Sequence, residues 1–266
     1  MILPHVRRWW GLLDDLAERL GTVHRWVRGP GVFEVNEAGS LEEFHPNPTL
    51  EICLAGTLRL EKPDDRVDLR SGDALLISQG VWHRLAPVRA GSLRFSQGFL
   101  PRCSCLSFHD PDRQWCGRVA IQPSRRLMEA ALAEPDAQAR RGLVRDLLAN
   151  LGREPVEEQL FNSQALWRMV ELMWLRCRLG LTVDEMLAAS GLSRTHAYRL
   201  FTAGYGVPPK AALELTRLQV AEGLLATGVP VAETAARCGF PSADTFRRAW
   251  RRRHGCAPSA GVSPAR

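Results

Sequence analysis

Apolar residues recur every three to four positions in WGLLDDLAERL (residues 10–20), with Leu12, Leu13, Leu16 and Leu20 on one face. That spacing predicts a short amphipathic helix. From Thr22 to about Leu100 the pattern shortens to runs such as LEICLAG, TLRLE, RVDLR, DALLIS and SLRFSQGFL, separated by breaks rich in Gly and Pro. Many short strands at such spacing predict an all-β sandwich or barrel. After Pro123 the three-to-four period returns in SRRLMEAAL, AQARRGLVRDLLANL and VEEQLFNSQALWRMVELMWLRCRLG, interrupted at Pro135 and Pro155. The last of these carries a stripe of Leu160, Leu166, Trp167, Val170, Met173 and Trp174. Such a stripe faces its own core or, as the alternative, a second subunit.

A chain of 266 residues, 45% hydrophobic, has material for two cores of ordinary size. No run approaches the length of an apolar membrane span, and acids interrupt the N-terminal segment where a signal peptide needs an apolar centre. The expectation is a cytoplasmic protein with no membrane partner. Seven scattered cysteines in a chain of this size fit reduced thiols rather than a disulfide framework. The net charge of +6 is unevenly placed: residues 180–266 hold eleven Lys/Arg against six Asp/Glu, and the rest is nearly neutral. A basic C-terminal module points to a polyanionic partner.

The C-terminal sequence says more. In LTVDEMLAASGLSRTHAYRLF, Thr182 caps a helix burying Val183, Met186 and Leu187, Gly191 makes a tight turn, and Ser193 caps a second helix with Ala197, Leu200 and Phe201 inward. That is a helix-turn-helix layout. A second copy follows in VPVAETAARCGFPSADTFRRAWRRRHG: Val231, Thr234 and Ala235 inward, Gly239 in the turn, Ser242 as cap, and Phe246, Ala249 and Trp250 beneath a row of arginines. Between them PPKAALELTRLQVAEGLLATG reads as one helix opened by Pro208 and Pro209, with Leu215, Leu218, Leu224 and Leu225 apolar. At 1.5 Å per residue it would hold the units roughly 25 Å apart, within reach of successive major grooves.

The segment from Leu181 to about Ala260 resembles the DNA-binding domain of the AraC/XylS family of bacterial regulators. The likeness rests on LTVDEMLAASGLS, the RLF at Arg199, the GVPP turn at Gly206, RLQVAEGLL from Arg217, and VAETAARCGF with DTFRRAWRRRHGCAPS. The resemblance implies that the second helix of each unit reads double-stranded DNA. It would place Arg194, Thr195, Tyr198 and Arg199 at the first reading surface, and Ala243, Asp244, Arg247 and Arg248 at the second. Arginine can grip guanine through two hydrogen bonds. Arg251, Arg252 and Arg253 are expected at phosphates, adding affinity without selecting sequence. One departure is Ala197, where the family usually has a larger apolar residue.

The N-terminal strands resemble the cupin fold that many members of the family use as a sensor. Gly39 is followed at the first motif's spacing by His45, Asn47 and Glu51, and Gly72, Ser78, Gly80 and His83 follow the second with Ser78 replacing proline. Three of the four usual ligands are present: His45, Glu51 and His83. Imidazoles with a carboxylate suit divalent Fe, Mn, Zn or Ni. Alternatively, His45, Asn47, Glu51, Trp82 and His83 line a pocket for a small organic effector. Cys103, Cys105, His109 and Cys116 lie close in sequence, but their spacing fits no common zinc module, and inert cysteines are the expectation.

The expected architecture is therefore a two-domain α+β chain: a cupin-like β-barrel with flanking helices over 1–122, a helical connector over 123–179 that is a candidate dimerisation region, and an all-α double helix-turn-helix domain over 180–266. The expected function is a sequence-specific transcription regulator, not an enzyme: an effector-responsive activator of catabolic genes, a homodimer, with RNA polymerase as a further partner. The alternative is a metal-dependent cupin enzyme, or a metal or redox sensor, fused to a DNA-binding domain. No nucleophile motif, phosphate-binding loop or paired acid site appears elsewhere.

Overall fold

The computed structural model describes residues 4–27, 42–44, 47–62, 64–87, 91–100, 103–110, 114–120, 122–151 and 164–260. The chain separates into two compact units, which divide after Asn162.

In the N-terminal unit, helix α1 (Pro4–Arg19) precedes strands β1 (Val23–Trp26), β2 (Glu42–Phe44), β3 (Thr49–Ala55), β4 (Thr57–Lys62), β5 (Asp65–Arg70), β6 (Ala74–Ile77), β7 (Trp82–Pro87), β8 (Leu93–Phe99), β9 (Cys103–His109) and β10 (Gln114–Ala120). Helices α2 (Gln122–Ala133) and α3 (Ala137–Leu151) close the unit. The strands form a six-stranded sheet of order β1-β6-β3-β8-β9-β10 and a four-stranded sheet of order β2-β7-β4-β5. The β1–β6 pair is parallel and the other pairs are antiparallel.

Alternation along the strands produces three layers. Leu50, Ile52 and Leu54 of β3, with Phe95 of β8 and Phe108 of β9, pack under Trp9, Leu13 and Leu16 of α1, Met128 of α2 and Val144 and Leu147 of α3. The opposite face contributes Cys53, Leu75 and Ile77 to a second core shared with Leu58, Leu60 and Leu69 of the smaller sheet. Where a single barrel was expected, the described strands make two stacked sheets whose hydrogen bonding does not run from one into the other. The stretch expected as a connector is divided: α2 and α3 belong to the N-terminal unit, and the helix that follows belongs to the C-terminal one. Arg140 fastens α3 to the first strand by donating from Nε to the Val23 carbonyl at 3.0 Å.

The C-terminal unit contains α4 (Gln164–Arg176), a 3-10 turn (Cys177–Leu179), α5 (Val183–Ala188), α6 (Arg194–Tyr205), α7 (Pro209–Ala226), α8 (Val231–Arg237) and α9 (Ala243–His254). Within the apolar stripe, Leu166, Val170 and Met173 of α4 are buried, while Leu160 lies outside the described residues. Part of the stripe thus faces its own core. Gly204 of α6 is small for the same reason: a side chain there would collide with Leu166. Ala197, also fully buried, leaves room for neighbouring helices, and Phe201 stacks on Tyr205 with ring centroids 5.0 Å apart. The small residue at 197 is thus accommodated within a closed core.

Candidate nucleic-acid interface

Two helix pairs build the interface. In the first, Thr182 accepts from the Glu185 backbone N–H while the Glu185 carboxylate accepts from the Thr182 N–H and hydroxyl at 2.8 and 2.7 Å, a complete capping box at the start of α5. Those hydrogen bonds hold the Glu185 carboxyl below its usual range. Gly191, at φ +72°, turns the chain into α6. Ser193 precedes α6 without the capping hydrogen bond expected from its side chain. In the second pair Gly239, at φ +75°, turns α8 into α9, and Ser242 caps α9 by accepting from the Thr245 N–H at 3.1 Å. Phe246, Ala249 and Trp250 are buried beneath α9, as its sequence pattern requires.

The opposite faces of α6 and α9 are open to solvent. Arg194, Thr195, Tyr198 and Arg199 are exposed on α6, and Asp244, Arg247, Arg248, Arg251 and Arg252 on α9; Ala243 is half-buried at the first position of α9. Tyr198 is one of few large exposed apolar side chains, at 40%. The α9 face is strongly cationic and ends in Arg251, Arg252 and Arg253. Between the pairs, α7 has 18 residues, hence a length of about 27 Å. One helix thus links the two exposed faces, its length somewhat less than a turn of B-DNA, which is about 34 Å.

The arginines are not equivalent. Arg194 donates to Asp184 at 2.8 Å and Arg247 to Asp244 at 2.8 Å, both in solvent, where such pairs are weak. Arg252 donates from Nη2 to both carboxylate oxygens of Glu214 on α7, each at 2.9 Å. Arg199, Arg248, Arg251 and Arg253 are exposed and have no acidic partner among the described residues.

A residue given no role by the sequence reading, Arg217 of α7, ties that helix to the segment leading into the first pair. Its Nε donates to the Cys177 carbonyl at 2.9 Å and its Nη2 to the Leu181 carbonyl at 2.7 Å. Burial lowers its pKa, opposed by the neighbouring Cys177 and Cys238. The second turn rests on the same spot, since a Cβ on Gly239 would lie 2.6 Å from the Cys177 carbonyl oxygen. Burial also pushes the Cys177 thiol up to about 11 and that of Cys238 to about 12, so both are protonated at neutral pH.

In the N-terminal unit, the residues named as a metal or effector site fall on different strands. His45 lies outside the described residues. Asn47 is half-buried just before β3, and Trp82 opens β7 opposite Phe44. Glu51 and His83 are both fully buried, on β3 of the larger sheet and β7 of the smaller. The Glu51 carboxylate accepts from the Ser96 hydroxyl at 2.5 Å and stands 3.7 Å from the Arg94 guanidinium. A divalent cation on that carboxylate would meet the positive charge of Arg94, so Glu51 does not fit a metal ligand. His83 directs Nδ1 at the Val81 carbonyl, 3.2 Å away, and its ring lies 6.4 Å from that of Trp26.

Glu51 shares its sheet face with Cys53, and Ser96 is its cross-strand neighbour, with Ser107 next in register. Arg94, Ser96 and Ser107 are all buried, and His109 directs Nε2 at the Ser107 hydroxyl at 2.8 Å. A polar row therefore runs across the inward face of the larger sheet. The sequence reading missed Arg94, Ser96 and Ser107, although the alternation of Arg94 and Ser96 with Leu93 and Phe95 in SLRFSQGFL is the signal that places those two on this face. The Cys/His group resolves into a hairpin, with Cys103 opposite Ala120, Cys105 opposite Arg118 and Cys116 opposite Ser107. Its close spacing follows from adjacent antiparallel strands.

Comparison with known proteins finds similar sequences. A family described as a helix-turn-helix domain matches residues 186–261. The chain is similar to the RCS-specific HTH-type transcriptional activator RclR of Escherichia coli (strain K12), at 27% identity over 227 residues, covering 76% of this chain and 80% of that protein. It is also similar to the virulence regulon transcriptional activator VirF of Yersinia enterocolitica, at 30% identity over 113 residues, covering 42% of this chain and 38% of VirF. Among solved structures, a probable AraC family transcriptional regulator from Rhodopseudomonas palustris CGA009 is 29% identical over 36% of this chain and 93% of its own, with a TM-score of 0.33.

Proposed function

We propose that the chain is a transcription regulator of the AraC/XylS type, that it binds a bipartite DNA site by inserting α6 and α9 into successive major grooves, and that an effector held by the N-terminal unit controls this binding. It is a DNA-binding regulator rather than an enzyme, as its relatives are. The carrying observation is the pair of helices α6 and α9 with exposed cationic faces, joined through the 18-residue α7.

The finer reading is an activator of catabolic genes acting as a homodimer and contacting RNA polymerase. Activation is the printed role of both RclR and VirF. For the sensor we propose a cupin-like unit with a small organic effector between the sheets and no metal. The buried polar row of Glu51, Arg94, Ser96 and Ser107 supports this: aligned donors and acceptors between apolar layers suit an oriented polar ligand. The effector must bind the two states of the regulator unequally to control it.

Selection of sites from randomised duplex DNA by the full chain, with and without a metabolite library, tests the proposal. The expected product has two half-sites about 10 base pairs apart, centre to centre. Enrichment of no sequence, or of one short uninterrupted motif, would overturn it.

A further inference from the structure

Two acids of α7 reach the C-terminal half of α9. Glu214 holds Arg252 through both carboxylate oxygens at 2.9 Å. Two turns further on, Glu222 stands 3.2 Å from His254 Nε2, with side chains only 4% and 10% exposed. The His254 ring also packs on Trp250, with centroids 4.2 Å apart, and Trp250 is among the largest fully buried side chains. Glu214 and Glu222 are eight residues apart, so both fall on one face of α7 about 12 Å apart along its axis. The Glu214–Arg252 hydrogen bonds and, at that separation, the close packing of His254 between Glu222 and Trp250 hold α9 at two points, where one would leave a pivot.

We propose that Glu214 and Glu222 form a two-point clamp that sets the angle at which α9 enters the groove, making Arg252 and His254 positioning residues rather than DNA contacts. This rests on the assignment of α9 as a reading helix. It removes Arg252 from the phosphate-binding row in which its sequence context placed it, leaving Arg251 and Arg253 there. Arg252 Nη2 is shared between both Glu214 oxygens, and Glu214 is only 32% exposed, so this charge-assisted contact ties α9 to α7 at a defined point.

The test uses the full chain and the duplex it enriches from a randomised library, set against a duplex scrambled only in the half-site read by α9. Taking the ratio of the two affinities cancels the general electrostatic effect of each substitution. In E214Q the preference for the intact duplex should fall about threefold to tenfold, the scale of one charge-assisted contact. The swap E214R/R252E should recover it to within about twofold, because the pair is rebuilt with reversed polarity. R252A should leave the slope of log affinity against log salt unchanged.

Were Arg252 instead a phosphate contact, the swap would stay weak because a carboxylate at position 252 would face the backbone. R252A would then flatten the salt slope by about 0.9. Either result overturns the clamp, as does an undiminished preference in E214Q. Glu214 and Arg252 are both solvent-accessible, so the variants are expected to fold, and a circular dichroism melt of each is the check. A wild-type chain that enriches no sequence defeats the DNA-reading assignment together with the clamp; a selective wild type with an indifferent E214Q defeats the clamp alone.

Discussion

The two turn glycines invite a controlled comparison, because they share a backbone conformation and differ in surroundings. Gly191 and Gly239 have φ of +72° and +75°. A Cβ on Gly191 meets nothing within 4 Å, whereas one on Gly239 would lie 2.6 Å from the Cys177 carbonyl oxygen and 3.1 Å from that of Arg178. Alanine at 191 therefore suffers only the left-handed conformation, about 1 kcal/mol. Alanine at 239 suffers the same and must also push backbone away, adding roughly 1–3 kcal/mol in the manner of an overpacked core. For a unit of about 100 residues, 1 kcal/mol corresponds to a Tm change of roughly 4–8 °C. G191A should lower the melting transition of the C-terminal helices by about 5 °C and G239A by about 10–20 °C, followed by far-ultraviolet circular dichroism. G239A should also weaken binding to the selected duplex beyond G191A, since the displaced carbonyl is the acceptor for Arg217. Equal losses for the two variants would refute the claim that the second turn is seated on the 3-10 segment.

Other perturbations probe the remaining contacts. R217Q should destabilise the C-terminal unit by about 1.5–3 kcal/mol in urea unfolding, the value of charge-assisted hydrogen bonds to two carbonyls, and R217K should rescue little because an ammonium lacks the planar fork. Cys177 and Cys238, with thiols raised to about 11 and 12, should resist a thiol reagent at pH 8 until the chain is unfolded, while the exposed Cys256 labels at once; mass spectrometry of the native protein reads this directly. E51A should remove the buried Glu51–Arg94 ion pair and the acceptor of the Ser96 hydroxyl and cost about 3–5 kcal/mol, measurable as a loss of the N-terminal unit's unfolding midpoint. The Glu185 carboxyl is held below its ordinary range, so the capping box contributes fully above the unfolded value of about 4.5 and is lost as acid takes the pH through the lower folded value. Hydrogen exchange at the start of α5 across that window should show the cap opening only on the acid side.

The C-terminal domain was legible because local signals and global fold agree there. Thr182, Gly191, Gly239 and Ser242 each encode a cap or turn by their own chemistry, and Phe246, Ala249 and Trp250 fall on one face by spacing alone. What the sequence could not give is long-range pairing. Arg252 sits in a run of arginines, and nothing local distinguishes the one whose partner is Glu214, 38 residues earlier. In the N-terminal unit the strands were readable as short apolar runs, but their assembly into two sheets depends on register between distant segments. The polar row at Glu51, Ser96 and Ser107 exists only after β3, β8 and β9 are placed side by side. Among the described residues, 122–133, 137–151 and 164–176 are helical as read, yet the division of these helices between the units is decided by which core each apolar face meets.

The central claim is that one rigid helix presents two reading helices to adjacent grooves. Base-methylation protection on the selected duplex tests it most directly, carried out with wild type, R199A and R248A. Two guanine-protected patches on one face of the duplex, about one helical turn apart, with R199A erasing one and R248A the other, is the expected result. A single patch, or loss of both patches in either variant with affinity otherwise retained, would contradict it.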